Sequence, residues 1–219
     1  MFPLVKICGL STEDTLDAAL AAGAERVGLV FFAPSPRHLA HDRAATLAAR
    51  ARGRAAVVAL TVDADDGALQ AVIEAVRPDM LQLHGREAPG RVAAVRARFG
   101  RPVAKALGVS EAADVARAAA YAGVADEVMF DAKPPRGAAL PGGNGVAFDW
   151  RLLAALDLPV PFMVSGGLGP QNVGEAIRLT RAPAVDVSSG VETAPGVKSP
   201  ELIAAFVRAA RGRWPDPKG

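Results

Sequence analysis

The sequence is short of the residues that define several classes of protein. One cysteine among 219 residues cannot form an internal disulfide, and no spacing of cysteine and histidine resembles a zinc site. Lys and Arg number 25 and Asp and Glu 23, so the net charge is only +2. Such a near-balance provides no overall field to hold a nucleic acid backbone or an anionic membrane. We therefore expect no metal site, no nucleic acid partner and no membrane partner.

Signals for targeting or anchoring are also missing. No apolar run approaches about 18 residues without a charge, so no membrane span is expected. Residues 1–9 lack the basic segment, apolar segment and cleavage site of a secretory signal. The chain has instead 51% hydrophobic and 22% charged residues, with a mean hydropathy of +0.21. This is the composition of an ordinary globular protein, which we expect in the cytoplasm.

Eight short apolar runs recur regularly along the chain, and each is a predicted β-strand. The runs are residues 4–8, 26–32, 55–62, 80–84, 102–107, 127–133, 161–165 and 184–188. Segments rich in alanine and leucine lie between them, and Ser11 and Ser199 stand where helices are predicted to begin. Alternating strands and helices predict the α/β class. Eight such units in a chain of this length predict a single (β/α)8 TIM barrel domain over residues 1–219.

A doubly wound open sheet is the alternative architecture. The glycine-rich fingerprint with which such a sheet binds dinucleotides would follow the first strand, but Cys8, Gly9 and Leu10 stand there. The pattern therefore favours the barrel. One long irregular stretch, residues 134–145, is rich in proline and glycine, and it predicts a lid or a binding loop.

Four predicted strands carry polar residues two positions apart at their carboxyl ends. The pairs are Lys6 and Cys8, Gln82 and His84, Asp131 and Lys133, and Asp186 and Ser188. Residues of a barrel strand alternate between the interior and the helix-facing side, and barrel enzymes hold their active sites at the carboxyl ends of the strands. A single pair has a structural alternative, as half of a buried ion pair or as a satisfied core histidine. Four pairs together predict one functional site at the barrel mouth.

Glycine-rich turns after the seventh and eighth predicted strands point to a phosphate site. Residues 165–168 read Ser-Gly-Gly-Leu, and residues 188–191 read Ser-Ser-Gly-Val. Glycines let backbone N–H groups approach an anion closely, and barrel phosphate sites commonly use these two loops. The alternative is that these glycines only form tight turns. The candidate phosphate ligands are Gly166, Gly167, Ser188, Ser189 and Gly190.

A base, an acid and an anion-binding cation can be assigned to the same mouth. Cys8 lies two residues from Lys6, whose ammonium would lower the pKa of the thiol, so Cys8 is a candidate base or nucleophile. Asp131, at the end of the sixth strand, would lie across the mouth as a proton donor. Arg37 follows the second strand on a proline-stiffened turn, where it would bind a carboxylate through two hydrogen bonds. The alternatives are a buried apolar cysteine and a solvated surface arginine.

These motifs together resemble one known family. They are Val-Lys-Ile-Cys-Gly at 5–9, Ser-Pro-Arg at 35–37, Gln-Leu-His-Gly at 82–85, Asp-x-Lys at 131–133, Gly-Gly-Asn-Gly-x-x-Phe-Asp-Trp at 142–150, Ser-Gly-Gly-Leu at 165–168 and Val-Asp-Val-Ser-Ser-Gly-Val-Glu at 185–192. With these motifs in this order over residues 4–210, the sequence resembles the phosphoribosylanthranilate isomerases of tryptophan biosynthesis.

The resemblance implies a reaction and a role for each candidate residue. The reaction is the Amadori rearrangement of N-(5-phosphoribosyl)anthranilate to 1-(2-carboxyphenylamino)-1-deoxyribulose 5-phosphate, with no cofactor and no metal. Asp131 would be the general acid that protonates the ribose ring oxygen, and Cys8 the base that removes the C2 proton. Arg37 would hold the anthranilate carboxylate, the glycine-rich turns the phosphate, and His84 and Asp186 would position the substrate. Residues 134–145 would form a lid, and the protein would be a monomer or a homodimer.

Three other functions stay open at this point. The related isomerase of histidine biosynthesis has an aspartate at the end of strand one, where Cys8 stands here. Its substrate has a second phosphate, for which residues 33–36 offer no glycine-rich site. Indole-glycerol-phosphate synthase relies on lysines at strand ends, which are few in this chain. A barrel that only binds a phosphosugar would keep the phosphate turns but need neither Asp131 nor Arg37.

Overall fold

Eight parallel strands close into a barrel in the computed structural model, which describes residues 2–134, 137, 140–143, 145 and 147–212. Each strand pairs with the next one along the chain, and the eighth pairs with the first. The strands are β1 Leu4–Cys8, β2 Arg26–Phe31, β3 Ala56–Thr61, β4 Met80–Leu83, β5 Val103–Val109, β6 Glu127–Ala132, β7 Phe162–Val164 and β8 Ala184–Val187. The predicted TIM barrel is confirmed.

Helices surround the barrel and connect its strands. They are α1 Glu13–Ala22, α2 His41–Ala51, α3 Asp66–Val76, α4 Pro89–Phe99, α5 Ala112–Ala116, α6 Val173–Thr180 and α7 Pro200–Gly212. Short 3₁₀ turns cover Arg117–Ala120, Trp150–Leu153 and Ser189–Val191. An antiparallel hairpin follows β8, formed by β9 Glu192–Ala194 and β10 Val197–Lys198. Within the described ranges, no helix has the length and apolarity needed to cross a membrane.

Both faces of the barrel strands are buried, which explains why they read as nearly continuous apolar runs. In β1, Val5 and Ile7 belong to the large core between strands and helices, and neither is exposed to solvent. Leu16 of α1 and Phe206 of α7 are fully buried in the same core. The strand residues that alternate with Val5 and Ile7 therefore face the barrel interior.

Two small apolar clusters fill the barrel interior. The first lies toward the amino ends of the strands and consists of Ala106, Met129, Met163 and Ala184, with Leu4 packed against them. The second lies near the carboxyl ends of β1 to β3 and consists of Cys8, Val30 and Leu60, with Phe32 and Val62 packed against them. The members of the first cluster are all buried, and the cluster lies beneath the carboxyl ends of the strands.

Several strands end one residue earlier than predicted. The sequence predicts His84, Lys133, Ser165 and Ser188 as final strand residues, but β4, β6, β7 and β8 each stop just before them. The amides of the first three still donate to the neighbouring strand, for example from His84 N to the Thr61 carbonyl over 2.9 Å. The chain then turns into the following loop, which places these side chains at the rim of the mouth.

One of the two predicted helix starts is wrong. Helix α1 is capped by Thr12, whose hydroxyl accepts a hydrogen bond from the Thr15 amide over 3.4 Å, so Ser11 lies one residue too early. Ser199 does precede α7, and its hydroxyl accepts from the Leu202 amide over 3.2 Å. Threonine and serine both cap helices well, so the sequence alone did not decide between adjacent candidates.

Candidate active site

A pocket at the carboxyl ends of the barrel strands brings most of the predicted site residues together. Its lining includes Cys8, Arg37, His84, Asp131, Gly166, Gly167, Asp186, Ser188 and Ser189. Lys133 stands at the rim, where its ammonium pairs with Asp114 over 3.2 Å. In the described part of the chain, no three His, Cys, Asp or Glu side chains are grouped so as to hold a metal ion. The predicted convergence is present, and the roles of the residues stay predictions.

Cys8 lies at the end of β1 among apolar neighbours. It is 4% exposed and packs with Val30 and Leu60. Burial raises the pKa of the Cys8 thiol, and this outweighs the opposite effect of the Lys6 ammonium. The prediction that Lys6 lowers this pKa below its ordinary value is therefore wrong. Desolvation dominates, and the charge of Lys6 is compensated by a neighbouring carboxylate.

That carboxylate belongs to Asp186. Lys6 Nζ lies 2.8 Å from Asp186 Oδ1, and the Ser165 hydroxyl donates to Asp186 Oδ2 over 3.0 Å. Burial disfavours the Lys6 ammonium, but Asp186 and Cys8 more than offset it, so the pKa of Lys6 is raised. Both oxygens of Asp186 thus have partners inside the barrel. Asp186 fixes Lys6 and the start of the β7 loop, and its direct contact with a substrate stays a prediction.

Asp131 lies one residue before the end of β6, on the other side of the pocket and next to His84 and Gln82. Asp131 Oδ2 lies 3.1 Å from His84 Nε2, and His84 Nδ1 lies 3.0 Å from Gln82 Nε2. Asp131 Oδ1 accepts the amide proton of Ala132 over 2.9 Å. Asp131 is 4% exposed and lines the pocket. These contacts fix the direction of the carboxyl group, as a positioned proton donor requires.

Arg37 is buried and binds a carboxylate of the protein itself. Its Nε and Nη2 donate to the two carboxylate oxygens of Glu192 over 2.7 and 2.8 Å. Gly9, with a φ of 76°, leaves room for this side chain, because a Cβ there would lie 2.6 Å from Arg37 Cδ. The predicted two-bond contact of Arg37 is therefore made with Glu192. Its third nitrogen, Nη1, faces Gly143 beside the pocket, where a Cβ on Gly143 would lie 2.7 Å away.

Two glycine-containing loops form another side of the pocket. Gly166 and Gly167, after β7, have φ angles of 79° and 65°, which favour glycine. A Cβ on Gly166 would also collide with the backbone nitrogen of Ala132. Ser188 and Ser189, after β8, line the same pocket. The glycine backbone allows close approach of an anion to this side, as the phosphate prediction requires.

Gly190 has a packing reason to be glycine. It lies in the 3₁₀ turn Ser189–Val191, where a Cβ would run into the carbonyl oxygen of Leu168 in the β7 loop. Only glycine therefore lets the β7 and β8 loops approach each other this closely. Contact of Gly190 with a phosphate stays a prediction.

The roles of Glu192 and Lys198, whose side chains are buried, were not predicted from the sequence. They face each other across the β9–β10 hairpin, with Lys198 Nζ 2.6 Å from Glu192 Oε1. Burial lowers the pKa of Lys198. Burial would raise the pKa of Glu192, but Arg37 and Lys198 outweigh it and hold that pKa below its ordinary value. Glu192 was visible only as the last residue of a motif, and no signal marked Lys198.

The predicted lid, residues 134–145, is described only in part. Residues 135, 136, 138, 139 and 144 lie outside the described residues, whereas residues 140–143 line the pocket. A Cβ on Gly142 would lie 2.5 Å from Asp131 Oδ2 and 2.7 Å from His84 Nε2. The backbone at Gly142 therefore passes directly over the Asp131 carboxyl group, and a lid motion stays a prediction.

Comparison with known protein families matches residues 5–209 to the family described as N-(5′-phosphoribosyl)anthranilate (PRA) isomerase. A curated protein named N-(5′-phosphoribosyl)anthranilate isomerase, from Rhodopseudomonas palustris strain BisA53, is 64% identical over 207 residues. The matched region covers 94% of this chain and 95% of that relative.

Solved structures of similar proteins share the whole fold. Monomers generated from the dimeric phosphoribosylanthranilate isomerase of Thermotoga maritima are 31% identical with a TM-score of 0.83, covering 97% of this chain and 100% of that one. A phosphoribosyl anthranilate isomerase in complex with reduced 1-(o-carboxyphenylamino)-1-deoxyribulose 5-phosphate is 30% identical with a TM-score of 0.82. That match also covers 97% of this chain and 100% of the other.

Proposed function

This chain belongs to the N-(5′-phosphoribosyl)anthranilate isomerase family, and we propose that it isomerises its substrate by an internal acid–base rearrangement with Asp131 as the acid and Cys8 as the base. The substrate, N-(5-phosphoribosyl)anthranilate, is an aldose derivative, and the product, 1-(2-carboxyphenylamino)-1-deoxyribulose 5-phosphate, is a ketose. C1 is reduced and C2 is oxidised within one molecule, so the enzyme is an intramolecular oxidoreductase. Because no atom or electron enters or leaves, the reaction needs no external oxidant or reductant, and we propose that it proceeds without a cofactor.

One observation carries the proposal: Cys8 on β1 and Asp131 on β6 line the same pocket, between two regions suited to anions. The substrate has a phosphate at one end and a carboxylate at the other. If both ends are held, the ribose is placed between the acid and the base. Such positioning accounts for a large part of the rate that enzymes achieve.

The phosphate is proposed to bind on the side formed by the β7 and β8 loops. Gly166 and Gly167 leave their backbone accessible to an anion, and Ser188 and Ser189 add hydroxyl groups. Hydrogen bonds from backbone N–H groups and hydroxyls to an anion are stronger than those between neutral partners. These loops would therefore supply most of the affinity for the phosphosugar.

The anthranilate ring is proposed to bind against an apolar wall at the ends of β2 and β3. The wall consists of Val30, Phe32, Leu60 and Val62. An apolar wall with a few polar groups beside it is the usual form of a small-molecule site. Arg37 lines the same pocket, and its Nη1, which faces Gly143, would bind the carboxylate of the ring through one hydrogen bond.

Asp131 is proposed to start the reaction by giving its proton to the ribose ring oxygen. The bond between C1 and that oxygen breaks, and the substrate nitrogen forms an iminium with C1. His84, which contacts Asp131 Oδ2, holds the carboxyl direction and stabilises the carboxylate that is left. The segment at Gly142 covers this carboxyl group and limits access of water.

Cys8 is proposed to act as a thiolate that removes the C2 proton. Burial disfavours the thiolate, but the iminium formed beside it carries the positive charge that favours it. The base is therefore produced when the thiol loses its proton to solvent in the complex. Removal of the C2 proton gives an enolamine. C1 of the enolamine then takes a proton from solvent, and the C2 hydroxyl gives one to solvent. Asp131 and Cys8 return to their starting protonation states by exchange with solvent. The product is the ketone.

The test uses phosphoribosylanthranilate formed in situ from anthranilate and phosphoribosyl pyrophosphate. Fluorescence follows its consumption, and chromatography with mass measurement identifies the product. We expect an isobaric product, formed equally well after removal of metals by a chelator and of small molecules by gel filtration. A product lacking water and carbon dioxide would indicate a lyase instead. A folded protein that binds a product analogue without converting substrate would be a phosphosugar-binding barrel, and the proposal would be wrong.

We also propose a cytoplasmic location, since a cysteine that acts as a base must stay reduced, as the cytosol ensures. The oligomeric state remains a prediction of monomer or homodimer. Sedimentation equilibrium of the full chain distinguishes a mass near 22.5 kDa from twice that value.

A further inference from the structure

A buried ion pair behind the pocket connects the two regions that we assign to the ends of the substrate. Glu192 and Lys198 face each other across the β9–β10 hairpin, 2.6 Å apart, and their side chains are 4% and 1% exposed. Neither group takes part in the acid–base chemistry. A buried pair contributes little net stability compared with apolar residues of the same size, because both charges are desolvated. The position of this pair therefore requires another explanation.

Glu192 reaches toward the carboxylate end. Its two oxygens accept from Nε and Nη2 of Arg37 over 2.7 and 2.8 Å. Two parallel hydrogen bonds fix the plane of a guanidinium group. With that plane fixed, Nη1 is held in the direction of Gly143, which lines the pocket.

Lys198 reaches toward the phosphate end. Its Nζ donates to the carbonyl oxygen of Ser188 over 3.0 Å and to the Ser188 hydroxyl oxygen over 3.2 Å. Together with Glu192, these acceptors match the three N–H bonds of an ammonium group. Because an ammonium only donates, the Ser188 hydroxyl oxygen must accept in this contact. Its own proton is then directed elsewhere, and Ser188 lines the pocket.

We propose that Glu192 and Lys198 form a positioning pair, in which Glu192 orients Arg37 toward the carboxylate of the substrate and Lys198 orients the Ser188 hydroxyl toward its phosphate. The substrate named here rests on the proposed function. The phosphate half of the inference can be measured without turnover.

Inorganic phosphate is the probe for Lys198. In calorimetric titrations, Lys198→Met keeps the length of the side chain but removes its donors, and we expect the Kd for phosphate to rise about tenfold. Ser188→Ala should weaken phosphate binding similarly. The double variant should bind phosphate as tightly as whichever single variant binds it less tightly, because Lys198 acts through Ser188. Unchanged phosphate binding in Lys198→Met would overturn this half of the inference. It would also be overturned if the loss of binding free energy in the double variant equalled the sum of the two single losses.

A substrate without a carboxylate is the probe for Glu192. Phosphoribosylaniline, made from ribose 5-phosphate and aniline, lacks only that group. We expect Glu192→Gln to lower the preference for phosphoribosylanthranilate over phosphoribosylaniline about tenfold, mainly through KM. The carboxamide nitrogen of glutamine cannot accept from Arg37, so the guanidinium would tilt. An unchanged preference would show that Glu192 does not position Arg37.

Glu127→Gln is the matched control. Glu127 is also a buried glutamate, paired with Arg26 over 2.8 Å at the amino ends of β6 and β2, away from the pocket. Thermal unfolding of all variants measures the general cost of losing a buried carboxylate. We expect Glu127→Gln to lower Tm without changing the substrate preference or the phosphate Kd, and an equal shift of that preference would overturn the inference. If the wild type fails to convert phosphoribosylanthranilate, the proposed function and the Glu192 half of the inference fail, and the phosphate titrations still decide the Lys198 half.

Discussion

His84 and Asp131 share a hydrogen bond in the pocket, with 3.1 Å between His84 Nε2 and Asp131 Oδ2. On the other side of the ring, His84 Nδ1 lies 3.0 Å from the amide nitrogen of Gln82. Both ring nitrogens therefore have partners, and the two contacts together fix the plane of the imidazole. The ring in turn holds Asp131 Oδ2 in one direction, as a group that gives its proton to a substrate requires.

Replacement of Asp131 should abolish most of the activity without weakening the binding of phosphate. Asp131→Asn keeps the shape of the side chain but cannot give up a proton, so kcat should fall by about 10²–10⁴-fold. The Kd for inorganic phosphate should stay within about twofold, because asparagine keeps the size and shape of the side chain that lies beside Gly166. Steady-state kinetics and calorimetry measure the two effects separately.

Asp126→Asn is the control for that experiment. Asp126 accepts from the Val103 amide over 2.9 Å and pairs with Arg96, at the amino ends of the strands. Its replacement should lower stability somewhat and leave kcat unchanged. If Asp131→Asn retained more than about a tenth of wild-type kcat, a different group would have to supply the proton.

Cys8 should react slowly with iodoacetamide when no ligand is bound. Burial raises the pKa of this thiol above its ordinary value of 9.0, so only a small fraction is thiolate at neutral pH. The rate should rise about tenfold for each pH unit until the pH exceeds that raised pKa. A single cysteine makes mass spectrometry unambiguous. A rate that levels off below about pH 8 would show a lowered pKa and refute the desolvation argument.

The order of strands and the residues at their ends were predictable because each depends on local sequence. Alternation in β1 places Lys6 and Cys8 on one face, and the same reasoning applied to β4, β6 and β8. The barrel then brings those faces together, as the shared pocket shows. The tight glycine turn at residues 166 and 167 was likewise predictable, because the positive φ angles that favour glycine there are a local property of the chain.

Partners distant in the chain were not predictable. The thiol of Cys8 was expected to have a lowered pKa from Lys6 alone, yet burial raises that pKa and Asp186, 180 residues from Lys6, compensates the charge of Lys6. Arg37 was expected to bind a ligand through two bonds, yet Glu192, 155 residues away, takes them. Sequence spacing locates charged residues, but only the closed barrel shows which charges neutralise each other.

Arg37→Lys should separate charge from geometry at the carboxylate end. Lysine keeps the positive charge but cannot form two parallel bonds to Glu192, so the direction of the cation is lost. We expect KM for phosphoribosylanthranilate to rise about tenfold with a smaller change in kcat. Arg26→Lys, at the pair with Glu127, controls for loss of a partly buried guanidinium. Unchanged KM in Arg37→Lys would mean that the carboxylate binds elsewhere.

Two glycine-to-alanine variants should change stability in opposite directions. At Gly190, a Cβ would collide with the Leu168 carbonyl oxygen, so Gly190→Ala should push the β7 and β8 loops apart and cost about 1–3 kcal/mol. At Gly90, in α4, a Cβ would meet no atom within 4 Å, so alanine should stabilise by about 0.4–1 kcal/mol. Urea unfolding measures both. Because the β7 and β8 loops form the proposed phosphate site, Gly190→Ala should also raise the Kd for phosphate, while Gly90→Ala should not. Equal stability of the two variants would show that the loops are not held together by their contact at Gly190.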